Sequence, residues 1–139
     1  MPIRTVALAA ALWACSTAAF AADAVKRVPV HFAQGAAGAI VQGAIKGYDS
    51  VEYLVVARAG QTLRVAMSGS SNADLNVYPP AAPSEGGEAL TLDTVYAKAG
   101  ATHSVRLPAD GQYRLQVYQS RAAARRGTLS KFALKIEVR

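Results

Sequence analysis

The stretch KFALKIEV, Lys131 to Val138, decides the fold. Phe132, Leu134, Ile136 and Val138 alternate with Lys131, Ala133, Lys135 and Glu137. A period of two with one apolar face is the pattern of a half-buried β-strand, because successive side chains point to opposite sides of a sheet. A polar second face further implies an antiparallel sheet with one side on the core.

The same pattern recurs upstream. Tyr113, Leu115 and Val117 alternate with Gln112, Arg114 and Gln116, and Leu63, Val65 and Met67 with Thr62, Arg64 and Ser68. Ala39, Val41, Gly43 and Ile45 form another set. Val51, Tyr53, Val55 and Ala57 form the next, with Leu54 and Val56 making that strand apolar on both sides. Shorter candidates are Leu75 with Val77, then Leu90, Leu92 and Val95, then Val105 with Leu107. Turn chemistry separates them at Ala59-Gly60-Gln61, Pro79 to Gly87, Ala99-Gly100 and Pro108 to Gly111. Seven to nine short strands at this spacing predict an all-β chain, a single antiparallel β-sandwich or jelly-roll-like domain.

The N-terminus indicates the compartment. Met1 to Arg4 is basic, Thr5 to Ala14 is apolar, and Ala19-Phe20-Ala21 offers an A-x-A cleavage site. Residues 1–22 therefore read as a secretory signal peptide cut near Ala21 or Ala22, and 23–139 as the β-sandwich domain. Leu12-Trp13-Ala14-Cys15 loosely matches a lipoprotein box, but bulky Trp13 and the better downstream site favour simple cleavage. The expected location is the periplasm, without membrane insertion.

About 117 residues remain, enough for one core. They hold no cysteine, which excludes disulfides, thiol nucleophiles and cysteine metal sites. Of 15 Lys and Arg, Arg4 leaves with the leader, so 14 face 9 acids for a net charge of +5. Such a surplus suits an anionic surface or an acidic cleft. Export and the lack of a recognisable motif argue against nucleic acid.

Catalysis finds little support. His31 and His103 each lie in a strand-like stretch, where a lone histidine is ordinarily a surface residue. Ser104 beside His103 lacks the setting of a nucleophile elbow. Glu85 and Glu88 sit in a Gly-rich loop, while Asp74 and Asp110 suit strand-end and turn positions. No catalytic residue, cofactor or metal site is expected, and the chain reads as a non-enzyme.

One segment is chemically distinctive: SRAAARRG, Ser120 to Gly127. Ser120 can cap a helix, Ala122 to Ala124 favour one, and Gly127 can end it. One helical turn would put Arg121 and Arg125 on one face with Arg126 beside them, next to Tyr118. Guanidiniums bind carboxylates bidentately, and arginine and tyrosine are enriched at interface hot spots. A basic loop that merely keeps the domain soluble is the other reading, and the residues alone leave both open.

Two resemblances bear on that choice. Ala59-Gly60-Gln61-Thr62-Leu63, Asp74-Leu75-Asn76-Val77-Tyr78 and Asp110 to Tyr118 resemble bacterial pre-peptidase C-terminal domains, which are non-catalytic sandwiches. From Gly35 to Val138 the chain more closely resembles the periplasmic inhibitors of g-type lysozyme. That resemblance rests on Val41 to Tyr48, Ala59 to Leu63, Asn76-Val77-Tyr78-Pro79-Pro80 and, most specifically, Tyr118 to Arg126. It implies a secreted sandwich that plugs a lysozyme cleft with loop residues: Arg121, Arg125, Arg126, Tyr118 and Ser120, with Tyr48, Tyr53 and Asn76 as lesser contacts. The implied partner is g-type lysozyme, with an i-type enzyme open. Asp74-Leu75 stands where the family pattern has an aromatic pair. The alternative is an exported carbohydrate- or envelope-binding sandwich with no enzyme partner.

Overall fold

A computed structural model describes residues 24–83, 87–97 and 100–139; residues 1–22, read above as a signal peptide and including Cys15, and Glu85 lie outside them. Among the described residues there are nine strands. They are β1 (Val25–Pro29), β2 (Gly38–Lys46), β3 (Ser50–Ala57), β4 (Thr62–Gly69) and β5 (Ala73–Tyr78). After these come β6 (Asp93–Ala97), β7 (Gly100–Arg106), β8 (Gly111–Gln119) and β9 (Leu129–Val138). The short helix α1 (Arg121–Arg125) bridges β8 and β9. A four-stranded sheet runs β1-β3-β8-β5 and a five-stranded sheet runs β2-β9-β4-β7-β6.

Three details depart from the sequence expectation. β1 was not anticipated as a strand, and it pairs with β3 in parallel, from Val25 opposite Ser50 to Pro29 opposite Leu54. Pro29 interrupts its pattern, yet an edge strand tolerates a residue without an N–H. Leu90 and Leu92 precede β6 and pack against the core from an irregular segment. His31 lies beyond the end of β1, whereas His103 is in β7 and shares a 2.8 Å hydrogen bond with Thr94 Oγ1.

The core forms where inward faces meet. Tyr113, Leu115 and Val117 of β8 join Phe132, Leu134 and Ile136 of β9, all essentially inaccessible to water. Each such side chain contributes about 2 kcal/mol through burial. Tyr53 belongs to this core at 3 % exposure, meeting Phe132 edge-on with ring centroids 6.2 Å apart. Gly43 makes that contact possible. A Cβ there would lie 2.7 Å from Phe132 Cζ and 2.8 Å from the Tyr53 hydroxyl. The Tyr113 hydroxyl donates to the Ala109 carbonyl at 2.7 Å and accepts from the Ala109 N–H at 3.1 Å, tying the turn before β8.

The outer face of the four-stranded sheet is polar but internally matched. Glu52, only 4 % exposed, takes Arg27 at 3.3 Å and Arg114 at 3.2 Å. Arg114 also lies 4.7 Å over the Tyr78 ring and donates to the Pro83 carbonyl, fastening that loop across the sheet. Pairing is what permits a carboxylate so deep.

Candidate functional site

The segment from Ser120 to Thr128 folds as its residues suggest. Ser120 caps α1, its hydroxyl accepting from the Ala123 N–H at 3.4 Å. Gly127 ends the turn at φ +66°, and the N–H groups of Gly127 and Thr128 bond back to Ala124 and Ala123. Ala123 and Ala124 are buried, so the turn docks on the sandwich end by its alanine face. Arg121, Arg125 and Arg126 are thereby all exposed. Among the described residues, no carboxylate lies within ion-pairing distance of any of the three. Ser120→Ala is expected to cost about 1 kcal/mol by removing the cap, measurable as a lower urea midpoint at unchanged slope.

The connection between β2 and β3 lies against the same turn. The Gly47 N–H donates to the Thr128 carbonyl at 3.1 Å, and a Cβ on Gly47 would stand 3.7 Å from the Ala124 carbonyl oxygen. Gly47 has φ +60°, a conformation that few other residues accept. Next to it Tyr48 is 54 % exposed. Tyr48 and the three arginines therefore share one end of the sandwich.

Gln119 holds that end together. Buried as the last residue of β8, it donates from Nε2 to the Thr128 carbonyl at 2.6 Å and the Gly47 carbonyl at 3.2 Å. Its Oε1 accepts from the Ser130 hydroxyl at 2.6 Å, and Ser130 in turn accepts from Ser70 at 3.0 Å. The Ser70 hydroxyl also accepts from the Asn72 N–H at 3.2 Å, and the Asn72 carbonyl from the Ser120 N–H at 3.2 Å. Three connections (β2–β3, β4–β5 and β8–β9) are braced through one buried amide. Sequence reading missed Gln119, Ser130 and Ser70. The signal was available for two of them, since Gln119 continues the inward parity of Val117 and Ser130 that of Phe132.

Tyr118 and Asn76 occupy the adjoining outer face of the four-stranded sheet. The Tyr118 hydroxyl donates to Asp74 Oδ2 at 3.4 Å, across the paired strands β5 and β8. Asn76 lies two residues further along β5, and its amide donates to the Tyr78 hydroxyl at 3.4 Å. Tyr53 is not at this end; as a core residue it offers no surface, so its expected contact role gives way to packing. Asp110 sits in the turn before β8 and accepts from the Ala59 N–H at 2.7 Å, as a turn residue should.

Burial pushes the Tyr118 hydroxyl above the usual phenol range, and the Asp74 charge and hydrogen bond add to the rise. Tyr78 contributes in the same direction, while Asn76 opposes it. A raised folded-state value means that Tyr118 favours the fold fully below about pH 10, and that this contribution disappears as pH climbs through the folded value. Asp74→Asn is expected to bring the Tyr118 ionisation down. An ultraviolet phenolate titration checks this, with Tyr118→Phe identifying the signal.

Known proteins share this architecture. The chain is 31% identical over 140 residues, covering all of both sequences, to an inhibitor of g-type lysozyme from Escherichia coli strain K12. The crystal structure of Aeromonas hydrophila PliG, a periplasmic lysozyme inhibitor of g-type lysozyme, is similar with a TM-score of 0.75 at 42% identity. That match covers 85% of this chain and 100% of the other. Salmonella Typhimurium PliG, also a periplasmic inhibitor of g-type lysozyme, gives 0.65 at 33% identity, covering 82% and 98%. No protein-family model matches the chain.

Proposed function

Because the chain belongs to the family of periplasmic inhibitors of g-type lysozyme, we propose that it is a non-catalytic inhibitor of such an enzyme, working by seating the α1 end of its sandwich in the active-site cleft. One observation carries this reading. Three exposed arginines without acidic partners among the described residues, together with Tyr48, project from an end that a buried hydrogen-bond network holds in one arrangement.

The chemistry follows from what glycan cleavage needs. Lysozymes hydrolyse through a carboxyl group that must be protonated to act as the general acid. A guanidinium beside that group favours its ionised form and grips it with two parallel hydrogen bonds. Arg121 and Arg125, four residues apart on one turn, are assigned to the acidic groups. Arg126, Tyr118 and Tyr48 flank them and displace sugar, while Ser120 shapes the turn. Asn76 sits along the Tyr118 border. With a net charge of +5 after cleavage, the inhibitor gains little long-range attraction to a basic lysozyme. Recognition is therefore local, in the acidic cleft.

The test is cell-wall lysis by g-, i- and c-type lysozymes in parallel, with purified mature protein added to each. Inhibition of the g-type enzyme alone is expected. Inhibition of an i-type enzyme alone would move the target, and inhibition of none would leave an exported glycan- or envelope-binding sandwich as the better account.

A further inference from the structure

The two outer faces of the sandwich differ in charge. On the four-stranded sheet, Arg27 and Arg114 both pair with Glu52, Asp74 adds a second acid to the same face, and a loop is fastened across part of the surface by Arg114. The five-stranded sheet is different. Among the described residues, strand register places Lys46, Arg64, Arg106, Lys131 and Lys135 on its outer side, against Glu137 and Asp93. Glu137 is moreover engaged by Lys135 at 3.3 Å.

The relief of this face is low. Between the cations the register sets small side chains: Ala44 beside Lys131, Ala66 and Thr102 in the row of Lys135, and Ser104 beside Arg64. Around Arg64, Ala66, Thr102 and Lys135 there is only a shallow hollow of about 180 Å³. Ile40, paired with Lys135 at the sheet edge, is 68 % exposed. Five strands at their usual spacing make a surface about 20 Å wide and roughly 25 Å long. Arg64 and Lys135 share that hollow with Glu137, whose charge disfavours a small anion there, and Lys46, Arg106 and Lys131 are spread over the rest of the sheet. Together these cations suit a flat surface of distributed negative charge.

We propose that the outer face of the five-stranded sheet docks the protein peripherally on a bilayer of anionic phospholipid. The periplasm is bounded by membranes, and a lysine-rich plane with a protruding isoleucine can meet headgroup phosphates while the side chain of Ile40 reaches between them. α1 connects β8 of one sheet to β9 of the other at the end of the sandwich, so its arginines are not part of the outer face that docks. This inference does not depend on the lysozyme reading.

The experiment is co-sedimentation of the mature protein with phosphatidylcholine vesicles, with and without phosphatidylglycerol, at low and physiological ionic strength. Binding is expected only when the anionic lipid is present, weakening with salt as screening shortens the field. Removing three charges in Arg64→Gln/Lys131→Gln/Lys135→Gln is expected to reduce binding on the order of a hundredfold, at about fivefold per cation. Arg121→Gln/Arg125→Gln/Arg126→Gln removes the same net charge from the α1 end and is expected to retain most of the binding. The first triple variant should unfold close to the wild-type temperature, because all three side chains are exposed. Equal losses in the two triple variants, equal binding to both vesicle types, or capture by soluble dextran sulfate but not by vesicles would each overturn the proposal.

Discussion

Arg121→Ala/Arg125→Ala is expected to abolish inhibition of g-type lysozyme at concentrations where the wild type is saturating. Arginines that pair with desolvated carboxylates behave as hot spots, each worth about 2 kcal/mol or more. Losing both should raise the inhibition constant about a thousandfold, less any coupling between them. Stability should hardly change. Both side chains are exposed, neither has an ion-pair partner among the described residues, and alanine favours a helical turn at least as well. A double variant that unfolds at the wild-type temperature yet fails to inhibit separates contact from scaffolding. One that still inhibits at full strength removes the arginines from the interface.

Gln119→Met should have the largest effect on the fold of the site. Methionine matches the volume but cannot donate to the Gly47 and Thr128 carbonyls or accept from Ser130. Each buried group left without its bond costs about 1–3 kcal/mol, and nearby water or small shifts will satisfy some of them. A total near 3 kcal/mol is expected, which for a domain of this size lowers the melting temperature by roughly 10–15 °C. Inhibition measured well below that temperature should also weaken, because the Tyr48 turn and α1 lose their shared brace. Ser130→Ala offers a graded comparison. It removes one hydroxyl and should fall between wild type and Gln119→Met in both measurements.

The contrast between those two predictions reflects what could be read from the chain. The arginine turn was legible because its signals are local: a capping serine, three helix-favouring alanines and a terminating glycine sit within eight residues. The alternation of β8 and β9 likewise identifies their inward faces. Gln119 was not legible as a brace. Its parity says only that it points inward, and its three partners come from segments 9, 11 and 72 residues away in the chain. Tyr53 failed for a related reason. A tyrosine on an alternating strand suits either a core or a surface position, and only the opposing sheet, with Phe132 and the missing Cβ of Gly43, decides between them. The parallel β1 was hidden by Pro29 and by a pairing partner that sequence proximity does not suggest.

Glu52 belongs with these. On the sequence it interrupts an apolar strand without a reason. In the fold it anchors Arg27 from β1 and Arg114 from β8, so the edge strand and the centre of the sheet meet at one carboxylate. Glu52 and Asp74 together offset Arg27 and Arg114 on the four-stranded face, which leaves the other outer face as the more basic one.

The central claim is that the α1 end occupies the cleft where glycan binds. Steady-state hydrolysis of a soluble cell-wall oligosaccharide by g-type lysozyme, at several concentrations of the mature inhibitor, tests it most directly. Occupation of the cleft requires competitive inhibition, with the apparent KM rising linearly with inhibitor concentration while kcat stays constant. A falling kcat at unchanged KM would mean that enzyme, substrate and inhibitor bind together, and would contradict the account.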